Sequence, residues 1–335
     1  MARIFLSSAD HGHRAGDFPI AYQYTNPSGI AEMEGSCLAF LSNGAYVEVQ
    51  FGSKKTELYV RFMHKYNGNA GWLVCDLKED TNDKIQLCFL GNAVNAYYLK
   101  VNNVDQFCSN DAHSPIGFSE PVWIEVYFKA GTTTGQAKLW VNGDLIVDFT
   151  GNVGTANGVN RIEFGTRQPS QTPCAYYDHI AIDDANRIGH SKVIGRFPSG
   201  AGSAAQFTPS TSPNWDCANE VAAVNPTWAP DLETDYNSVN VVDQKDLFVP
   251  TALPAEATGV KCVALRTRAF KNGTPTPTNI TPLIKTGGTE YAGDNVAGAA
   301  IPNHGNKIWE TNPNTANPWT PTEVNNLEIG YKSAA

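Results

Sequence analysis

A chain of 335 residues is long enough to build two separate hydrophobic cores. Its formal charge is −9 and only 17% of its residues are charged, with Lys and Arg scattered rather than gathered into a basic run. That pattern argues against nucleic-acid or anionic-membrane binding, and no apolar stretch reaches the length of a membrane span.

The opening residues, MARIFLSSADHGHRAGDF, contain no long hydrophobic region and do not read as a secretory signal. The expectation is a chain that folds in a cytoplasm. Seven Cys, an odd number spread over the whole length, fit that redox setting better than a disulfide framework.

In chain order, residues 4–24 read as irregular, and strands are predicted at 37–41 and 45–50. At 56–63 the alternation is clean, with Leu58, Val60 and Phe62 on the inward face. Residues 72–78 and 84–90 form a predicted hairpin turning at 80–83, which sets Cys75 opposite Cys88. Two buried thiols and a cross-strand bridge are the alternative readings of that pair. No two Cys have the C-x-x-C spacing of a zinc site. Another strand is predicted at 96–101.

The block 123–184 carries the strongest pattern. WIEVYFK places Ile124, Val126 and Phe128 on one face, and AKLWV places Ala137, Leu139 and Val141 opposite Lys138 and Trp140. Asn142-Gly143 between two alternating runs is a strong hairpin signal, because both residues tolerate positive φ. NRIEFG and AYYDHIAIDD follow as further strands. This order resembles the laminin-G-like, concanavalin-type lectin and glucanase sandwich, and the resemblance implies an antiparallel jelly roll over residues 1–195. That fold hosts enzymes, glycan binders and structural modules alike.

Residues 196–214 are rich in Gly, Ser and Pro and read as a linker or extended crossover. Phe197, Phe207 and Trp215 imply that part of this stretch packs on a neighbour. Residues 215–335 read as a smaller β-sandwich-like domain, with strands at 259–270, 280–286 and 327–332 and a long ordered loop at 287–317. Thr320-Pro321-Thr322-Glu323 has capping-box spacing with Pro at the first helical position. The tail 333–335 reads as frayed. The predicted fold class is therefore all-β throughout.

The second half carries its own resemblance, in NWDCANEV, PDLETDYNSV, KDLF, GVKCVALRTRAFKNG and PWTPTEVNNLEIGYK. Their order is similar to that in tailed-bacteriophage virion proteins that join a laminin-G-like domain to a small β-domain. The resemblance implies a non-enzymatic structural component of the virion, in the tail, the neck or collar, or the capsid decoration. It implies assembly in the host cytoplasm, with other phage structural proteins and copies of itself as partners. A receptor adhesin that binds host surface glycans is the alternative, and a glycoside hydrolase a further one.

Candidate sites are few. Retaining glycosidases need two carboxyl groups about 5–5.5 Å apart, and the glucanase-like Glu-x-Asp-x-Glu pattern is absent. Glu32-Met33-Glu34 is the nearest approach. Asp144, Asp183 and Asp184 are the candidate calcium ligands, since calcium takes hard oxygen donors; capping of a turn is the competing reading. His11-x-His13 could chelate a metal but suggests no third ligand, and His179 reads as an exposed or hydrogen-bonded strand residue. Asn279-Ile280-Thr281 is a sequon of no use to a chain assembled in a cytoplasm. Trp140, Tyr176 and Tyr177 are the candidate interface or glycan contacts. By alternation Trp140 points away from Leu139 and Val141, toward solvent or a partner.

Overall fold

In the computed structural model, the described residues are 3–7, 20–22, 38–40, 46–66, 72–90, 96–106, 121–165, 175–218, 235–271, 277–298 and 303–335. The chain divides into two compact units, Met1–Val193 and Ile194–Ala335.

The strands of the first unit are β1 (Arg3–Ser7), β2 (Ile20–Tyr22), β3 (Leu38–Phe40), β4 (Tyr46–Lys55), β5 (Glu57–Tyr66), β6 (Trp72–Glu79) and β7 (Asn82–Leu90). They continue as β8 (Ala96–Val101), β9 (Val104–Gln106), β10 (Val122–Lys129), β11 (Gly135–Val141), β12 (Asp144–Gly151), β13 (Val159–Gly165) and β14 (Ala175–Asp183). Among the described residues they form two seven-stranded sheets. One runs β1-β14-β5-β10-β11-β12 with β3 beside β14, and the other runs β2-β4-β13-β6-β7-β8-β9. The unit is an all-β, antiparallel jelly-roll sandwich.

Its core is the product of alternation. Leu58, Val60 and Phe62 of β5 and Ile124, Val126 and Phe128 of β10 are all 0% exposed, and they join Ile85, Leu87, Leu99, Ile162 and Phe164 of the facing sheet in one cluster. Each such side chain contributes roughly 1.5–3 kcal/mol by leaving water. The hairpin between β11 and β12 turns through Asn142 (φ 51°) and Gly143 (φ 96°), the two left-handed residues that a tight I′ turn requires.

Two expectations for this unit are corrected. The stretch 4–24 is not wholly irregular, because β1 pairs with β14 and β2 with β4. Cys75 and Cys88 are not opposite one another: the hairpin turns tightly at Asp80-Thr81, with Glu79 paired to Asn82, and register shifts at Leu77/Lys78 and Leu73/Cys75 leave Cys75 paired with Leu87 and Cys88 with Leu73. Both thiols are free.

The second unit contains β15 (Pro198–Ala205), β16 (Thr208–Pro209), β17 (Asn237–Ser238), β18 (Lys245–Pro250), β19 (Val263–Ala269) and β20 (Asn279–Thr286). It ends with β21 (Thr289–Ala292), β22 (Val296–Ala297), β23 (Asn303–Trp309), the short helix α1 (Pro321–Asn325) and β24 (Glu328–Ala334). One sheet runs β15-β18-β24-β20-β21, with β22 beside β20, while β19 pairs with β23 and β16 with β17. Leu265, Ile284, Trp309, Trp319, Val324 and Leu327 form its apolar cluster. Helix α1 starts on the capping box: Thr320 accepts from the Glu323 amide, and Glu323 returns to the Thr320 amide.

Here the structure departs from sequence expectation in three places. The Gly/Ser-rich stretch 196–214 is not a linker throughout, since it supplies edge strand β15. Small residues are needed there because a Cβ on Gly202 would come within 2.5 Å of the Leu247 carbonyl oxygen. The stretch 287–317 is not one loop but holds β21, β22 and β23. The tail is held: Ser333 is 0% exposed, its hydroxyl donates to the Val241 carbonyl over 2.8 Å, and β24 runs through Ala334.

The segments that suggested virion proteins converge in this unit. The Asn214 amide donates to Asp246 and to the Phe207 carbonyl, both over 2.7 Å. The other Asp246 oxygen accepts the Gln206 and Phe207 amides. Asn237 donates to the Asn214 carbonyl and to the Tyr331 phenol, again over 2.7 Å. Asp246 is 0% exposed.

Candidate functional site

The residues singled out in the sequence are dispersed. Trp140 does not face solvent: it is 9% exposed, and the Arg187 guanidinium lies 4.4 Å from its ring centre. Tyr177 is 0% exposed and donates its hydroxyl to the Val74 carbonyl over 2.8 Å, while Tyr176 is 9% exposed, so both belong to the core. Tyr177 packs its ring against Phe62 and Phe164, and neither tyrosine is presented on the surface.

The three aspartates do not assemble a calcium site. Asp183 uses one oxygen to accept the Ala185 and Asn186 amides, at 2.9 and 2.8 Å, and the other faces Arg3 at 3.5 Å. Asp184 pairs with Lys55 at 3.0 Å, and Asp144 is exposed at the start of β12. Asp183 therefore caps the turn after β14, the competing reading. No cluster of metal-ligating side chains occurs among the described residues. His179 is 2% exposed and is the hydrogen-bonded strand residue of the two readings, its Nδ1 3.1 Å from the Val193 carbonyl oxygen; it sits at φ 49° in the irregularity of β14 and stacks on Trp123 with ring centres 5.4 Å apart. His11, His13, Glu32 and Glu34 lie outside the described residues.

What the tertiary structure does assemble is a pocket on the outer face of the first sheet. Alternation that sends Val60, Ile124 and Leu139 inward sends Arg61, Glu125 and Trp140 outward. The ten residues after β14, 184–193, pass over this face. Glu125 holds them, accepting the Ile188 amide at 2.7 Å, the Gly189 amide at 3.3 Å and the Arg187 Nε at 3.2 Å. Arg61 stacks on Trp123 with its guanidinium carbon 4.1 Å from the ring centre, and donates to the Ser191 carbonyl over 2.9 Å. Arg61, Trp123, Glu125, Trp140, Arg187 and His190 line the pocket. Burial is the first cause that holds Arg61 down to about 10. Gly143 borders the pocket: a Cβ there would sit 2.7 Å from His190 Nε2, and its φ of 96° already disfavours any other residue.

The second sheet carries a polar row on its outer face. Glu163 of β13 lies between Glu48 of β4 and Asp76 of β6 in the strand register, and Gln86 of β7 follows Asp76. Glu48, Glu163 and Asp76 are 0%, 2% and 1% exposed. Lys78 balances them, with its ammonium 2.9 Å from Glu163, 3.2 Å from Asp83 and 3.4 Å from Asp76. Arg161 pairs with Glu48 at 3.3 Å. Burial pushes Asp76 well above the usual carboxylate range.

Both assemblies were missed in the sequence. The polar row left a signal, a single acid between apolar neighbours in Val47-Glu48-Val49, Cys75-Asp76-Leu77 and Ile162-Glu163-Phe164. Only strand pairing brings the three acids together. The pocket left only the outward Trp140, since its cover comes from an irregular segment.

No family model matches the chain, and no curated protein matches its sequence. Among solved structures, a sialidase matches 49% of this chain at 13% identity and a TM-score of 0.35, and this chain spans 17% of that one. Galectin LEC-6 of Caenorhabditis elegans matches 43% of this chain and 95% of its own at 12% identity, with a TM-score of 0.30. A protein of unknown function with a galectin-like fold from Bacillus subtilis matches 56% of this chain and 98% of its own at 12% identity, with a TM-score of 0.37. Likenesses this shallow carry nothing about ligand or activity.

Proposed function

We propose that this chain is a non-enzymatic structural component of a tailed-phage particle, acting in the tail, the neck or collar, or the capsid decoration. It works through contacts with other particle proteins and with copies of itself, and folds in the host cytoplasm before assembly. One observation carries this reading. Segments that resemble virion proteins, around Asn214, Asn237, Asp246 and Tyr331, meet in one partly buried hydrogen-bonded network centred on the buried Asp246. Residues so placed specify a fold rather than a reaction, which is what an architectural protein shares with its relatives. Symmetric repetition then lets modest contacts add up to a stable assembly.

The test is direct. Recombinant protein is expected to form a defined oligomer, and peptides of the chain are expected in purified particles by mass spectrometry. A monodisperse monomer whose peptides are missing from particles would overturn the reading.

A second reading, an adhesin on the same particle that binds host surface glycans, is favoured by Trp123, which is only partly buried and lines the outer pocket. A glycan array that returns no hit removes it. The hydrolase alternative rested on Glu32 and Glu34; unchanged glycan chains after incubation with the protein remove that one.

A further inference from the structure

Strand β12 ends the first sheet and pairs only with β11. Among the described residues, no backbone hydrogen bond joins Asp144–Gly151 to any other strand or loop. The far side of β12 therefore presents a row of N–H and C=O groups, the template on which another strand adds. The other described edges are blunted. β2, β3 and β9 have 3 residues each and β21 has 4. β15 carries Pro198, Gly200 and Gly202 and is broken by register shifts, while β19 and β23 carry Arg266, Arg268 and Lys307. β12 bulges at Ile146, where Leu139 pairs with Val147 and the next residue, Trp140, with Leu145. From 147 to 151 it then runs regularly, without Pro, Lys or Arg.

The side chains decide which strand fits. Asp148 and Thr150 are exposed on the outer face, across from Lys138 and Gln136 of β11, and Phe149 is half-buried against the core. Two antiparallel copies of β12 about a two-fold axis normal to the sheet keep outer side chains on the outer face. Such a pairing must be centred on a residue that meets its own copy, because neighbours along a strand point to opposite faces. Centring on Asp148 sets like charges against each other. Centring on Val147 runs the pairing into the bulge, and centring on Thr150 leaves most of the regular stretch unpaired. Centring on Phe149 uses all of 147–151. Phe149 then meets Phe149 of the second copy, Thr150 meets Asp148, and Val147 meets Gly151. The Phe149 ring already leans over Gly151, where a Cβ would lie 2.9 Å from its Cζ, so a bare glycine is what leaves room for it.

We infer that β12 joins two copies of this chain, continuing the first sheet across a two-fold axis at Phe149. The inference deepens the assembly role proposed above and rests on it for the choice of a second copy as the partner. Backbone hydrogen bonds supply the attraction, and the Phe149 pair buries apolar area on the axis. So short a pairing is a modest contact, which repetition in a particle multiplies.

Sedimentation equilibrium of the full chain over a concentration series measures the association. Wild type is expected to associate reversibly, with a dimer as the first step. Thr150→Asp sets like charges against Asp148 twice in each dimer and should weaken it about fivefold; Thr150→Lys sets opposite charges there and should strengthen it by as much. Both alter an exposed side chain, so the fold is kept. Cross-linking reads the register. Asp148→Cys and Thr150→Cys chains, mixed and mildly oxidised, should form a disulfide between unlike chains, since residues opposite each other have Cβ atoms about 4.5–5.5 Å apart. Each chain alone should give no more cross-link than wild type. A monomer at every concentration, equal affinity in the two Thr150 variants, or a mixture that cross-links no better than either chain alone overturns the inference. Peptides of the chain in purified particles would then leave the assembly role standing, so the two readings fail separately.

Discussion

The Asn214 side chain donates to the Asp246 carboxylate over 2.7 Å, joining residues 32 positions apart in the chain. Asp246 also accepts the amides of Gln206 and Phe207, so one carboxylate satisfies three donors around a buried point. Asp246→Ala leaves those donors without their acceptor. It is expected to destabilise the second unit by about 3 kcal/mol or more, read from urea unfolding followed by tryptophan fluorescence. A midpoint equal to wild type would show that the network holds nothing together.

Lys78 is the cation on which Glu163, Asp76 and Asp83 converge. Lys78→Met keeps most of the side-chain volume and removes the charge, leaving buried carboxylates uncompensated. The expected loss at pH 7 is about 3–5 kcal/mol, the usual cost of breaking a buried pair. The deficit should shrink as the pH falls, because protons then neutralise the acids that Lys78 no longer balances. Denaturant unfolding of the variant and wild type at pH 7 and pH 4 checks both parts.

His64 is 0% exposed, its Nδ1 2.7 Å from the Tyr97 hydroxyl and its ring packed against Phe62 and Tyr177. Burial lowers it from 6.5 to about 3. The unfolded chain therefore takes up a proton that the folded one refuses. Stability is unaffected above pH 6.5 and declines as the pH falls from 6.5 toward 3, by an amount on the order of 4 kcal/mol. His64→Phe should flatten this decline, and a pH series of unfolding midpoints compares the slopes. An unchanged slope would show that the acid sensitivity arises elsewhere.

Cys75 is 0% exposed and burial pushes its thiol upward, while the Cys88 thiol is pushed up to about 11, again by burial. Neither should form a thiolate at neutral pH, and the thiolate is the reactive form. Thiol reagent added to the native protein should leave both unlabelled, with labelling after denaturation. Peptide mapping separates them from the other cysteines.

Loss of the turn cap tests the Asp183 assignment. Asp183→Asn keeps an acceptor for the Ala185 and Asn186 amides but gives up the charge facing Arg3. Asp183→Ala loses both and should be the less stable of the two, by roughly 1–2 kcal/mol. Added calcium should change neither midpoint; a calcium-dependent rise in wild type alone would restore the metal reading.

Local physics was legible wherever a few consecutive residues decide the outcome. Period-two alternation located β5 and β10 and chose their inward faces, because successive side chains on a strand must point to opposite sides. Asn142-Gly143 announced its turn because few other pairs accept positive φ twice, and Thr320 with Glu323 announced α1 because their reciprocal hydrogen bonds span only three residues. Alternation also sent Trp140 correctly to the outer face, but it says nothing about what lies over that face. The cover is the segment clamped by Glu125, and only the folded chain brings Arg187 onto the ring. Cys75 and Cys88 were set opposite each other by counting, and a tighter turn with two register shifts undid the count. Glu48, Asp76 and Glu163 each looked like a lone acid until strand pairing laid them side by side. Sequence alone thus determined which residues turn, cap and face inward, since those choices are made within a turn or a strand. Tertiary structure decided which charges meet and which aromatics are covered, because those depend on contacts between segments far apart in the chain.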